Sequence, residues 1–232
     1  MKMQLYNFDN DIFFEDEYVN VIEIENKPLF VQIVESLNDI SNGLVSKEKI
    51  FFYQNDVEIE LYNKIDVIFD IFNFDFSKRK TLNQLYMKIE NVIKSDSNMA
   101  RKFNDNINEL ITLVNPALND FDIEFTRDDN FSIPDFLKFI KLNINLKEKT
   151  IVDKTLLIID LESILSFNEI IIFIDLKKYV SDDELLEIYK YSKYKGVKIL
   201  LVESVSDGVS KEYEKKLIID QNFDEFLIKN GV

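Results

Sequence analysis

The chain has 232 residues, of which 46% are hydrophobic, 13% aromatic and 31% charged, a balance that excludes a disordered chain and fits one large domain or two small ones. It contains no Cys, no His and no Trp, which excludes a thiol nucleophile, a disulfide, a Cys/His zinc site and an imidazole acid-base group. Lys and Arg number 28 against 43 Asp and Glu, and a formal charge of -15 restricts any DNA contact to a local patch.

Residues 1–10 carry Asn7, Asp9 and Asn10 where an export signal needs an apolar run. The longest apolar stretch, 155–176, is interrupted by Asp160, Glu162 and Glu169, each costly inside a bilayer. The expectation is a cytoplasmic protein with no membrane partner. Residues 18–25 (YVNVIEIE) read as a strand, and Pro28, Leu29, Phe30, Ile33, Val34, Leu37 and Ile40 give the following helix, stopped by Ser41, Asn42 and Gly43. Residues 49–54 (KIFFYQ) form a second strand candidate, so the chain opens as a β-α-β unit.

From Glu58 onward, Leu61, Ile65, Ile68, Phe69 and Phe72 predict a short helix. Residues 81–94 and 99–114 predict two antiparallel helices separated by the polar 95–98 turn. Residues 120–125 (DFDIEF) alternate strictly and read as a strand with Asp120, Asp122 and Glu124 on one face, followed by a turn with Asp128 and Asp129. Pro134 starts another helix. Residues 150–167 read as an amphipathic helix, and 169–175 (EIIIFID) as a buried central strand ending in an acid. Ser181 and Glu184 make a capping box for a helix ended by Gly196, before the strand candidates 197–202 (VKILLV) and 216–220 (KLIID). This order predicts an α/β fold: a mostly parallel sheet head, residues 1–60 and 151–232, with residues 61–150 inserted as an α-helical leg.

The apolar run ending at Asp175 has the form of a Walker B strand, but the 4 Gly residues stand in no phosphate-binding loop, so the head lacks the cradle that ATP hydrolysis requires. Asp175 and Lys177 also make the D-x-K half of a metal-dependent nuclease, with Asp160 or Glu162 as the second acid; the other reading is a solvated strand end. Asp120, Asp122 and Glu124 suit either a hard cation such as Ca²⁺ or a solvated acidic face. Basic residues cluster at 78–80, at Lys138, Lys141, Lys147 and Lys149, and at Lys190, Lys193, Lys195 and Lys198, each a candidate phosphate contact or a solvated surface.

The order of VIEIENKPLFVQIV, KIFFYQND, DVIFDIFNFDFS, two leg helices, DFDIEF and EIIIFIDLKKYVSDDELLEIYKYSKYKGVKILLVES resembles the type II-A CRISPR-associated accessory protein family of spacer acquisition over nearly the whole chain. The resemblance implies a homotetrameric ring with an α/β head and a helical leg, which binds the ends of linear double-stranded DNA and is supported by calcium. It implies work beside the CRISPR integrase and effector nuclease, and it implies no enzymatic activity. Matched to the family's acidic segment, Asp120, Asp122, Glu124 and Asp128 become the calcium candidates. Lys138, Lys141, Lys147 and Lys149 fall where the family places ring-lining positive charge. A ring also fits the net charge, because an acidic exterior repels DNA while symmetry concentrates the inward lysines.

Overall fold

Ile170–Ile174, an unbroken run of β-branched and aromatic residues, sits inside the sheet that organises the fold. The computed structural model describes residues 1–45, 50–61, 64–126, 131–146, 149–165 and 170–229. The chain divides into two compact units, Met1–Phe74 with Leu146–Val232, and Asp75–Asn145. The first unit begins with β1 (Lys2–Leu5), β2 (Ile12–Phe13), β3 (Val19–Ile24), α1 (Lys27–Ser41), β4 (Ile50–Gln54), β5 (Val57–Ile59) and β6 (Ile65–Ile68). The second consists of α2 (Arg79–Ser95), α3 (Ser97–Leu118) and α4 (Ile133–Phe139). The chain then returns to the first unit with α5 (Ile151–Leu165), β7 (Ile170–Ile174), α6 (Asp182–Lys195), β8 (Ile199–Glu203), β9 (Glu214–Ile219) and β10 (Glu225–Lys229).

The main sheet has the order β10-β9-β3-β8-β7-β6, parallel throughout except for β10. Every residue of β3, β7, β8 and β9 is buried, and burial on both faces explains why β7 and β8 read as near-continuous apolar runs and not as alternating ones. On one face Ile22, Ile172, Leu200 and Leu217 form a single core with Ile33 and Leu37 of α1 and with Met3 and Phe52 of a small antiparallel sheet, β2-β1-β4-β5. The alternate positions, Val21, Glu23, Leu201, Glu203 and Lys216, face the other way.

Local chemistry sets the helix ends. The Asn26 side chain accepts from the Leu29 amide at 3.1 Å to start α1, with Pro28 in the first turn. The Ser181/Glu184 capping box starts α6, and Gly196, at φ 67°, ends it in the left-handed region that favours glycine. In the second unit Tyr86, Ile133 and Leu137 pack with Leu82, Ile89 and Phe103, and the Tyr86 hydroxyl donates to the Leu142 carbonyl at 2.6 Å.

Three sequence expectations are corrected. The β-α-β opening does not form, because β4 pairs antiparallel with β1 in the small sheet instead of returning beside β3. The helix expected from Leu61 to Phe72 is replaced by β6, which pairs with β7 from Ile65 opposite Ile170. Apolar spacing there fits a helix, but β-branched Ile65, Val67 and Ile68 find a free edge on a parallel sheet, and pairing wins over periodicity. The strand expected at 120–125 is a series of turns and bends: the helical unit offers it no strand to pair with among the described residues, and an alternating pattern alone does not hold a strand.

Candidate functional site

Open α/β sheets carry their ligands beyond the carboxyl ends of their parallel strands. Here that end has no phosphate cradle, since β3 passes into α1 through Glu25 and Asn26 alone and Asn26 is spent on the helix cap. The connection from β8 to β9 crosses over β3, which lies between them in the sheet. Such parallel crossovers are usually helical; this one, residues 204–213, is coil and turn and must satisfy its polar groups by other means.

A cluster of charged side chains does so. Lys216 is completely buried, with Nζ 2.6 Å from Glu23 Oε1 and 3.6 Å from Glu214 Oε2, and it also holds Asp207 and the Val209 carbonyl of the crossover. Lys177 Nζ lies 3.3 Å from Glu23 Oε1 and 2.8 Å from Glu214 Oε1. The Ser206 hydroxyl donates to Glu23 Oε2 at 2.8 Å, the Lys211 amide to Glu214 Oε2 at 2.9 Å, and the Ser204 amide to Asp175 Oδ1 at 2.8 Å. From α6 the buried Tyr189 hydroxyl donates to Glu214 Oε1 at 2.8 Å.

The electrostatics follow from burial and pairing. Burial works against the Lys216 ammonium, but hydrogen bonds to Asp207 and Glu23 override it and raise its pKa above the ordinary lysine value. Burial also acts to raise Asp207, yet Lys216, the Val209 amide and Lys177 hold it down at about 2. Desolvation, reinforced by Glu214, pushes the Tyr189 phenol well above the usual tyrosine value. Glu203 stands directly opposite Glu23 across the β3–β8 ladder, and its carboxylate accepts from the Lys177 amide at 3.1 Å. Burial pushes Glu203 up to about 8; that amide pulls it down, and the charge of Asp175 adds to the rise.

The nuclease constellation does not assemble. Lys177 points into the charge cluster, while Asp175 is bound to Lys178 at 2.7 Å and to the Ser204 amide. Asp160 is taken by Lys195 and the Tyr191 hydroxyl, each at 2.7 Å, and Glu162 is buried two residues along the same helix. Among the described residues no three acidic side chains gather to hold a metal ion. Asp120, Asp122 and Glu124 are exposed in the bends after α3, so they do not form a calcium cage by themselves, and Asp128 lies outside the described residues. Lys138 and Lys141 are exposed at the end of α4, with Lys138 3.3 Å from Asp135 and Lys141 following one turn on. Lys149 is exposed in the other unit, just before α5, and Lys147 lies outside the described residues.

Sequence reasoning overlooked Glu23, Glu203, Glu214 and Lys216. Their signal is charge within short strands that also carry apolar runs: Glu23 inside VNVIEI, Glu203 at the end of ILLVE, and Glu214 and Lys216 ahead of the LII of EKKLII. A buried charge in such a place requires a partner from elsewhere in the fold.

A mostly parallel α/β unit without a phosphate loop, its crossover pinned by buried ion pairs and its chain interrupted by a helical unit, defines a class of α/β proteins distinct from the phosphate-loop hydrolases. Residues 44–223 match the family described as CRISPR-associated protein (Cas_Csn2), and the chain belongs to that family. Stu0660 of Streptococcus thermophilus shares the fold, with a TM-score of 0.59 at 13% identity over 95% of this chain and 74% of that one. A nucleotide-free ATP-binding cassette from an ABC transporter reaches a TM-score of 0.49 at 12% identity, over 98% of this chain and 91% of that one. No curated protein sequence matches the chain. No helix among the described residues is long and apolar enough to cross a membrane.

Proposed function

We propose that this protein is a non-catalytic DNA-binding assembly factor of CRISPR spacer acquisition, a homotetrameric ring that holds the ends of linear double-stranded DNA in the cytoplasm beside the CRISPR integrase and effector nuclease. The observation that carries the reading is the family match over residues 44–223. The commitment of Lys177 and Asp175 to structural partners supports a head without chemistry of its own.

Lys138 and Lys141, exposed on the helical unit, are the proposed phosphate contacts, together with Lys147 and Lys149. Calcium is proposed as a support of assembly at Asp120, Asp122, Glu124 and Asp128. One chain's described residues do not enclose an ion, so binding there needs ligands from outside the 120–124 segment. A mobility-shift comparison of linear and covalently closed DNA tests the function. Linear DNA is retarded and closed DNA is not; equal retardation of both removes end binding, and no retardation of either removes the DNA-binding reading.

A further inference from the structure

We propose that Phe139 is the end-sensing residue of the DNA interface, its ring stacking on the last base pair of an open duplex while Lys138 and Lys141 hold the adjoining phosphates. The inference rests on the end-binding reading above and names the side chain that tells an end from an interior. A duplex interior offers phosphates and groove edges, whereas an open end also presents the flat, apolar face of its terminal base pair. Lysines contact the phosphates of both alike, so a contact that prefers ends needs an aromatic partner beside them.

Phe139 is the last residue of α4 and is 78% exposed, and among the described residues no aromatic ring or cation packs on its face. The helix spends its other side on the core of its unit: Ile133 and Leu137 are buried, and Phe136 meets Phe103 edge-on with centroids 5.4 Å apart. The backbone around the ring is fixed. The Ile140, Lys141 and Leu142 amides bond to the Phe136, Lys138 and Leu137 carbonyls, each at 3.0 Å, and the Tyr86 hydroxyl of α2 holds the Leu142 carbonyl. An exposed ring on a fixed backbone is pre-organised, with little freedom to lose on stacking. Exposed lysines flank it along the chain: Lys138, 3.3 Å from Asp135, and Lys141, which turns the chain at φ 53°. The Lys138–Asp135 pair is solvent-exposed, so a phosphate can replace the carboxylate at small cost. Tyr194 of α6 is 82% exposed as well, but its ring already has Tyr191 at 6.4 Å and the Lys195 ammonium at 5.8 Å.

The test compares three DNAs in low-salt binding titrations: a blunt linear duplex, the same duplex with each end closed by a hairpin loop, and a covalently closed circle. A hairpin leaves the end free to thread through a ring but covers the terminal base pair. The wild-type protein prefers the open duplex over the capped one; Phe139→Ala lowers that preference about fivefold or more, and Phe139→Trp keeps it. If open and capped duplexes bind alike and both exceed the circle, end binding stands and the role of Phe139 is overturned. If all three bind alike, the end-binding reading itself falls and takes the proposal with it. A preference unchanged in Phe139→Ala, or an equal loss for open and capped duplexes, overturns the stacking. So does a change of oligomeric state in light scattering of Phe139→Ala, because the ring then belongs to a contact between copies of the chain.

Discussion

Glu203 and Lys216 show how far single side chains govern the head. Glu203 has a folded-state pKa of about 8 against an ordinary 4.5, so the unfolded chain ionises first. Its stabilising contribution is complete below about pH 4.5 and is lost as pH rises through 8, by at most about 1.4 kcal/mol per pH unit. Glu203→Gln should flatten that part of the urea-unfolding profile between pH 5 and 8 and exceed the wild type in stability at pH 8.5. Asp207 has the opposite sign: its depressed pKa, about 2, gives stability present above pH 3.8 and lost as pH falls through 2. Lys216→Met removes one ammonium from a cluster of buried carboxylates and should cost about 3–5 kcal/mol in urea unfolding at pH 7, since among the described residues Lys177 would be the one ammonium left to Glu23 and Glu214. The D-x-K pattern drew attention to Lys177, but a tripeptide does not reveal that its ammonium is turned toward Glu23 and Glu214.

Elements with strong internal signals matched their sequence reading, and those defined by a neighbour did not. α6 carries its own start and stop in Ser181, Glu184 and Gly196. Ser181→Ala should lower stability by about 1 kcal/mol in thermal unfolding, because the Glu184 amide and the reciprocal Ser181 amide bond lose their partner geometry together. The short strands β1, β2 and β5 have too few residues to show a period, and β6 carries a pattern that also fits a helix. The end of α4 bears the DNA prediction. Reversing Lys138, Lys141, Lys147 and Lys149 to Glu should abolish the linear-DNA shift while the thermal midpoint stays close to wild type, because Lys138, Lys141 and Lys149 are exposed. An unchanged shift would move the contact to another basic cluster.

For the whole molecule, the proposed ring would bring the basic residues together by symmetry, which reconciles a charge of -15 with the proposed local DNA contact. Light scattering at micromolar concentration should give a tetramer with calcium and a smaller species after chelation. A monomer under both conditions would remove the ring and the calcium support together. DNA affinity should also fall steeply with salt, since contacts from Lys to phosphate release counterions; a binding constant independent of salt would point to a different interface.

The sequence by itself determined the absence of Cys and His chemistry, the missing phosphate loop, the ends of α1 and α6 and the buried strands β7 and β8. Those depend on composition and on neighbours along the chain. Strand partners, the two-sheet arrangement of the first unit and the charge cluster were decided only by the tertiary structure. Glu23, Lys177, Glu203, Glu214 and Lys216 come from separate segments, and their burial is tolerable only because folding brings their opposite charges and hydrogen-bond partners within reach of one another.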